Sequence, residues 1–157
     1  MLRMFKIWRV RKMSKPVYFT LQELLRSTVA LNKRVENLPS WEVISNLHEL
    51  ALFLDGIREA YGKPIYVSSA FRCKNLNSML KGSSPTSAHQ IGFAVDMYVG
   101  GGKLEMDKFG RFLVDYLKDK KFDQLLIEKS STGSYWYHFG LFNNKREQRC
   151  QIKNLFV

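Results

Sequence analysis

Hydrophobic positions in the first sixty residues recur every three or four positions, which is the spacing of amphipathic helices. Thr20, with Glu23 three positions later, forms a capping-box pattern, so we expect a helix from there to about Ala30. Ser40 can cap a second, longer helix that ends at Gly62, a residue suited to a helix C-terminus. This part of the chain therefore predicts a helical layer.

Strand patterns follow in the rest of the chain. IYVSS, residues 65–69, is rich in β-branched side chains, and GFAVDMYV, residues 92–99, alternates between large apolar residues and small or polar ones. FDQLLIEKS and YWYHFGLF predict two further strands joined by a turn around Gly133. Residues 70–89 are expected to be mostly irregular, with one helical piece around Leu76 to Leu80, and LEMDKFGRFLVDYLKDK predicts an amphipathic helix. This order predicts a single α+β domain with helices packed on a mainly antiparallel sheet.

Length and charge narrow the picture further. A chain of 157 residues, 45% of them hydrophobic, favours one folded domain with one core. The net charge of +11 favours an anionic partner, which could be nucleic acid, acidic lipid or a cell-wall polymer. Residues 1–15 are basic and are expected to form a poorly ordered arm, with Met13 a second candidate start, while residues 16–157 form the domain.

Two further features bear on location. The chain has no apolar run long enough to span a membrane and no signal-peptide core, so we expect synthesis in the cytoplasm without an export route of its own. Cys73 and Cys150 are expected to be free thiols, because they show no repeated spacing.

The candidate chemistry lies in SAHQIGFAVD, residues 87–96. A catalytic zinc site takes three nitrogen or oxygen ligands, and Gly92 allows the chain to turn so that His89 and Asp96 reach one point. We expect His138 on the last strand to be the third ligand. If the two final strands pair symmetrically about their turn, Glu128 lies directly across from His138, in the position of a general base. A polar strand with an unrelated histidine is the alternative.

The segment SAHQIGFAVD resembles the SxHxxGxAxD motif of zinc peptidases that cut peptidoglycan stem peptides. These are the D-Ala-D-Ala carboxypeptidases and dipeptidases and the L-alanyl-D-glutamate endopeptidases, whose fold is shared by the hedgehog signalling domain. FTLQELLRSTVA, IREAYGKPIYVSSAFRCKN, FDQLLIE and WYHFGLF follow in the same order as in small members of this family, which occur in bacteriophages and bacteria. The resemblance covers about residues 18–149.

The resemblance implies one zinc ion per chain, held by His89, Asp96 and His138. It also implies that Arg72 faces the substrate and supports the scissile carbonyl or a nearby carboxylate. Ser87 matches the serine of the motif, and it either hydrogen-bonds the substrate or orients the loop. The resemblance implies that the partner is the peptidoglycan stem peptide, bound at the bacterial cell wall by a monomeric protein, and a phage product fits this expectation. Neither a nucleic-acid partner nor a membrane span is expected.

One position departs from the family pattern. Many relatives carry an acidic residue three positions before the last histidine ligand, where this chain has Tyr135. Glu128 is therefore the expected catalytic carboxylate and general base, with a surface or histidine-supporting role as the alternative. Trp136 is expected either to form a wall of the cleft or to pack in the core. If no carboxylate serves as base, the domain would be a zinc-stabilised module that binds cell wall or protein; a nucleic-acid-binding protein is the other alternative.

Overall fold

The computed structural model describes residues 14–153, so the predictions for the basic arm and for Met13 lie outside the described residues. The first helical segment is split. Helix α1, Leu21–Leu25, is capped by Thr20, whose Oγ1 accepts a hydrogen bond from Glu23 N. The expectation of one helix to Ala30 is wrong, because Ser27 caps a separate helix α2, Thr28–Lys33, through a 3.1 Å bond from Ala30 N.

Helix α3, Trp41–Tyr61, forms as the pattern predicts. Ser40 Oγ accepts a hydrogen bond from Val43 N, and Gly62 ends the helix with a positive φ of 74°. Its buried side includes Leu47, Leu50 and other apolar residues at helical spacing. The helix thereby supplies a long apolar surface for the sheet.

The sheet has five strands, and the predicted α+β class is confirmed. The strands are β1, Tyr66–Ser69; β2, Ala94–Tyr98; β3, Gln124–Lys129; β4, Tyr135–Gly140; and β5, Gln151–Lys153. Their order is β1-β2-β4-β3-β5, and every neighbouring pair is antiparallel except β3 and β5. Strand β5 was not expected, because three residues at a sheet edge carry too short a pattern to recognise.

Shorter elements connect the strands. Helix α4, Lys74–Ser78, lies two residues before the predicted position, and a 3-10 turn, Ala88–Ile91, precedes β2. Helix α5, Gly102–Leu117, matches the amphipathic segment between β2 and β3. Within residues 14–153, both cysteines are free thiols, and no helix has the length and apolar character needed to cross a membrane.

The core lies between one face of the sheet and the helices α3 and α5. Phe53 of α3 stacks on Phe139 of β4 with ring centroids 5.3 Å apart. The Tyr137 hydroxyl of β4 donates to the backbone carbonyl of Met106 in α5. Alternate residues of β4 therefore face the helices, and the residues between them face the opposite side of the sheet.

Candidate metal centre

Three potential metal ligands meet on the face of the sheet away from α3 and α5. Asp96 and His138 lie directly opposite each other in the β2–β4 ladder, with Asp96 Oδ1 2.9 Å from His138 Nδ1. His89 Nε2 lies 3.2 Å from each of these two atoms. The structure thus brings together the three residues that the sequence singled out, with ligand atoms within 4.8 Å of one another.

The 3-10 turn delivers His89 to this point. Gly92 ends the turn with φ 76°, and a Cβ at Gly92 would lie 2.9 Å from the backbone carbonyl oxygen of Val43, so the chain can pass here only as glycine. Ser87 Oγ accepts a hydrogen bond from His89 N at 3.3 Å, which corresponds to the loop-orienting role. His89 Nδ1 lies 2.6 Å from the carbonyl oxygen of Ala70. Because that oxygen can only accept, Nδ1 carries the proton and Nε2 has a free lone pair.

Burial and charge keep this group ready to bind a cation. His89 is fully buried, and Asp96 and His138 are 4% and 9% exposed. Burial lowers the pKa of His89, so its imidazole stays neutral. Burial alone would raise the pKa of Asp96, but its electrostatic interactions and hydrogen bonds with the His89 and His138 rings outweigh burial and hold the pKa well below its usual range.

The donor set fits a zinc ion. Two imidazole nitrogens and one carboxylate oxygen lie about 3 Å from one another. Each of these atoms can offer a lone pair to a single cation bound among them. Three ligands of this type with room for a fourth partner are the composition of catalytic zinc sites. The fourth direction is available because Asp96 and His138 line an open cleft of about 760 Å³.

Arg72 lines the same cleft beside the ligands. Its Nη1 lies 3.4 Å from Asp96 Oδ2 and 3.4 Å from Ser69 Oγ. Burial lowers the pKa of Arg72, while the charges of Asp96 and Glu128 act in the opposite direction, so both acids are within electrostatic reach of the guanidinium. Arg72 Nε is buried without a hydrogen-bond partner among the described residues. An oxygen of a bound ligand would satisfy that donor.

Glu128 lies on the cleft face, but its predicted pairing is wrong. His138 pairs with Leu126, and Glu128 pairs with Trp136. The hairpin is centred one residue earlier than assumed, because Ser130 N donates to Ser134 O and closes the turn there. The register is thereby shifted by two positions along β3, and a shift of two leaves Glu128 on the same face of the sheet as His138. Glu128 is thus a diagonal neighbour of His138 and not its direct partner.

Trp136 contributes to the cleft wall and holds the acid in place. The indole Nε1 donates to Glu128 Oε2 at 3.1 Å, and both side chains line the cleft. Trp136 is half-buried and lies on the cleft side of β4, and its role toward a substrate stays a prediction. The Glu128 carboxylate is therefore held in a defined orientation. The indole binds one of its oxygens, Oε2, and does not bind the other.

Tyr135 lies on the opposite side of β4 from the candidate ligands. Its hydroxyl donates to Asp107 Oδ1 at 3.0 Å and lies 3.2 Å from a second acceptor, the carbonyl oxygen of Lys103, both in α5. Burial and the hydrogen bond to Asp107 raise the pKa of Tyr135 to about 12. The residue at the usual acid position is thus part of the contact between sheet and helix and has no access to the cleft.

An ion pair at the far side of the cleft was not predicted from the sequence. Arg149 donates from Nε and Nη2 to the two carboxylate oxygens of Asp123, at 2.5 and 2.8 Å. Asp123 is 2% exposed, and both residues line the cleft. The polar segment around Arg149 carries no periodic pattern, so the sequence held no signal for this pair.

Comparison with known proteins adds one match. A family model described as Peptidase M15 matches residues 17–132, which is more than half of the chain. The matched range includes His89, Asp96 and Glu128 and ends before His138. No curated protein matches the sequence significantly.

Proposed function

The chain belongs to the peptidase M15 family, and from this membership we propose that it is a zinc-dependent peptidase that cuts peptidoglycan stem peptides at the bacterial cell wall. The observation that carries the proposal is the convergence of the buried His89 with Asp96 and His138, two residues that line an open cleft. The bond would be of the D-Ala-D-Ala carboxypeptidase or L-Ala-D-Glu endopeptidase type.

The three residues would hold one zinc ion per chain. A zinc ion in such a site polarises a peptide carbonyl and lowers the pKa of a coordinated water toward about 7. Burial keeps His89 neutral, its bond to Ala70 leaves Nε2 as the ligand atom, and Asp96 is kept ionised by its interactions with the two imidazoles. The protein thereby maintains its ligands in the protonation states that metal binding requires.

Glu128 is the proposed proton acceptor and donor. Its carboxylate is fixed by Trp136 Nε1 on the cleft face, one diagonal position from His138. Diagonal neighbours across a ladder are about 7–8 Å apart, a gap that the glutamate side chain and one water molecule can bridge. Glu128 takes the proton of the attacking water and returns it to the leaving amine.

Arg72 is the proposed partner of the substrate oxygen. Its guanidinium is oriented by Asp96 and Ser69, and its buried Nε has no partner among residues 14–153. Negative charge develops on the scissile carbonyl oxygen during attack, and a fixed donor in a sheltered cleft stabilises that charge by about 3 kcal/mol. A carboxylate next to the scissile bond would be held by the same donors.

Digestion of purified peptidoglycan, with mass analysis of the released fragments, tests this function. Wild type with zinc is expected to create new peptide termini whose masses identify the bond, and removal of zinc should abolish them. Glu128→Gln should lower the rate about 10²- to 10⁴-fold, the usual contribution of a general acid or base, with zinc content still one per chain. Glu59→Gln, the same change at an exposed position of α3, is the matched control.

Two results would contradict the proposal in different ways. Full activity of Glu128→Gln would remove that residue from proton transfer. Wild type that binds one zinc ion but releases nothing from peptidoglycan or from free stem peptides would refute the peptidase, and would favour a zinc-stabilised binding module.

A further inference from the structure

Two exposed tyrosines continue the candidate site across the sheet. Tyr66 of β1 pairs with Tyr98 of β2, and their rings stack with centroids 5.4 Å apart and planes 29° apart. They are 46% and 41% exposed, although large aromatic side chains usually bury most of their surface. Tyr98 lies two residues beyond Asp96 on the same strand, so both side chains point to the cleft face.

Trp136 extends this row toward the proposed base. Met97 pairs with Tyr137, so one step along the ladder places Tyr98 beside Trp136. Trp136 in turn pairs with Glu128 on the next strand. We define the aromatic shelf as Tyr66, Tyr98 and Trp136, which occupy three adjacent strands on one face.

The shelf has the position and shape of a second subsite. It lies one row, or about 7 Å, from the row of Asp96 and His138, because side chains on one face recur every two residues. Tyr98 leans onto Tyr66 on one side, whereas the Trp136 indole is drawn to Glu128 on the other side. Tyr98 and Trp136 thus each have their partner on the side of the ladder away from the other ring.

We propose that the aromatic shelf binds a pyranose ring of the glycan strand to which the stem peptide is attached. The inference rests on the proposed function in its L-Ala-D-Glu endopeptidase form, because that bond lies next to the sugar-bearing end of the stem peptide, whereas the D-Ala-D-Ala bond lies at the far end. The apolar C–H face of a pyranose stacks on aromatic rings, and the phenol hydroxyls can hydrogen-bond its hydroxyl groups. Three strands spaced about 4.8 Å apart give the shelf a length comparable to a disaccharide. The shelf also continues directly into the cleft through Trp136, so one ligand can occupy both.

A pair of matched ligands tests the shelf: a soluble disaccharide–stem peptide and the same peptide without the sugars. Calorimetric titration of zinc-free protein is expected to show tighter binding of the disaccharide–peptide. Tyr98→Ala should weaken that binding about tenfold, the effect of one lost aromatic stack, and leave the free peptide unchanged. Tyr98→Phe keeps the ring and should lose much less affinity than Tyr98→Ala. Tyr18→Ala removes a tyrosine of similar exposure that packs against Arg58 of α3, and should have no effect.

Cleavage kinetics then separate this inference from the peptidase itself. With zinc bound, Tyr98→Ala should raise KM for the disaccharide–peptide alone, with kcat unchanged. The shelf proposal would be wrong if wild type bound both ligands with equal affinity, or if Tyr98→Ala lost the same affinity for both. Neither result would contradict the proposed peptidase. Preferential binding of the disaccharide–peptide without any cleavage would support the shelf and refute the proposed function.

Discussion

Helix α5 packs against β4 through Gly110, and this contact lies directly behind the candidate metal centre. A Cβ built at Gly110 would lie 2.1 Å from Tyr137 Oη and 2.7 Å from its Cζ. Tyr137 is 1% exposed, and its hydroxyl donates to the carbonyl oxygen of Met106 at 2.9 Å. On β4 it lies between Trp136 and His138. We therefore expect Gly110→Ala to destabilise the protein, although alanine is the better helix former.

The magnitude follows from three contributions. Alanine in a helix interior is favoured over glycine by about 1 kcal/mol. The added methyl group must displace a fully buried ring, and overpacking of this kind costs about 3 kcal/mol. Movement of the ring also loses a buried hydrogen bond worth about 1 kcal/mol. The net change is a loss of about 3 kcal/mol of unfolding free energy, or about 10 °C in Tm for a domain of this size.

Urea denaturation followed by circular dichroism measures this change, and an unaltered slope would show that the loss is one of stability alone. Gly56→Ala in α3 is the matched control. Its Cβ would meet only Tyr116 Oη, at 2.8 Å, the far end of a half-buried side chain that can swing aside. Gly110→Ala as stable as wild type would refute the packing argument. Adding Tyr137→Phe to Gly110→Ala should recover part of the loss, and no recovery would mean that the hydroxyl is not the obstacle.

Three further predictions concern the metal, its loop and the surface charge. Zinc at 100 times its Kd should stabilise the protein by about 2.7 kcal/mol. A chelator should reverse this stabilisation, and magnesium should not produce it. A Tm that zinc leaves unchanged would contradict the site. Ser87→Ala removes the oxygen that accepts a hydrogen bond from His89 N. It should weaken zinc affinity several-fold and lower the free energy of unfolding by about 1 kcal/mol. If a metal-competition assay finds the same zinc affinity in Ser87→Ala as in wild type, Ser87 does not orient the loop. Hydrogen bonds from Lys108 and Lys63 lower the pKa of Glu105 from 4.5 to about 2. The pKa of Glu105 is lower in the folded state than in the unfolded state, so the stabilisation is complete above pH 4.5 and is lost as the pH falls toward 2. The Tm difference between wild type and Glu105→Gln should therefore narrow between pH 4.5 and pH 2. A Tm difference that stays constant over this range would argue against the ion pairs.

Much of the architecture was predictable because it depends on neighbours along the chain. The Ser40 cap and the Gly62 terminus of α3 are decided by side-chain and backbone bonds within one turn of the helix. The alternation in β2 likewise decides which of its side chains share the face of Asp96. The peptidase family could be recognised on the same basis, since its motif is contiguous from Ser87 to Asp96.

The split between α1 and α2 shows how local signals can compete. The hydrophobic pattern runs through Arg26 and favours one helix, yet the hydroxyl of Ser27 offers a new cap three residues before Ala30. Both signals are present in the sequence, and periodicity alone does not say which is stronger. Strand β5 could not be predicted from the sequence for a different reason. It forms by pairing with β3, and its partner residues lie 27 positions away along the chain.

What the sequence by itself determined is the set of chemical groups: two histidines, an aspartate, a glutamate and an arginine, with the periodicities that assign them to strands and turns. Only the tertiary structure decided how these groups meet. The register of β3 on β4, which pairs Glu128 with Trp136 rather than with His138, depends on the closure of the Ser130–Ser134 turn. The placement of Tyr98 beside Trp136 depends on the pairing of β2 with β4. The physical reason is that a side chain's face follows from its own strand, whereas its neighbours follow from hydrogen bonds to other strands, which turn geometry and core packing select together.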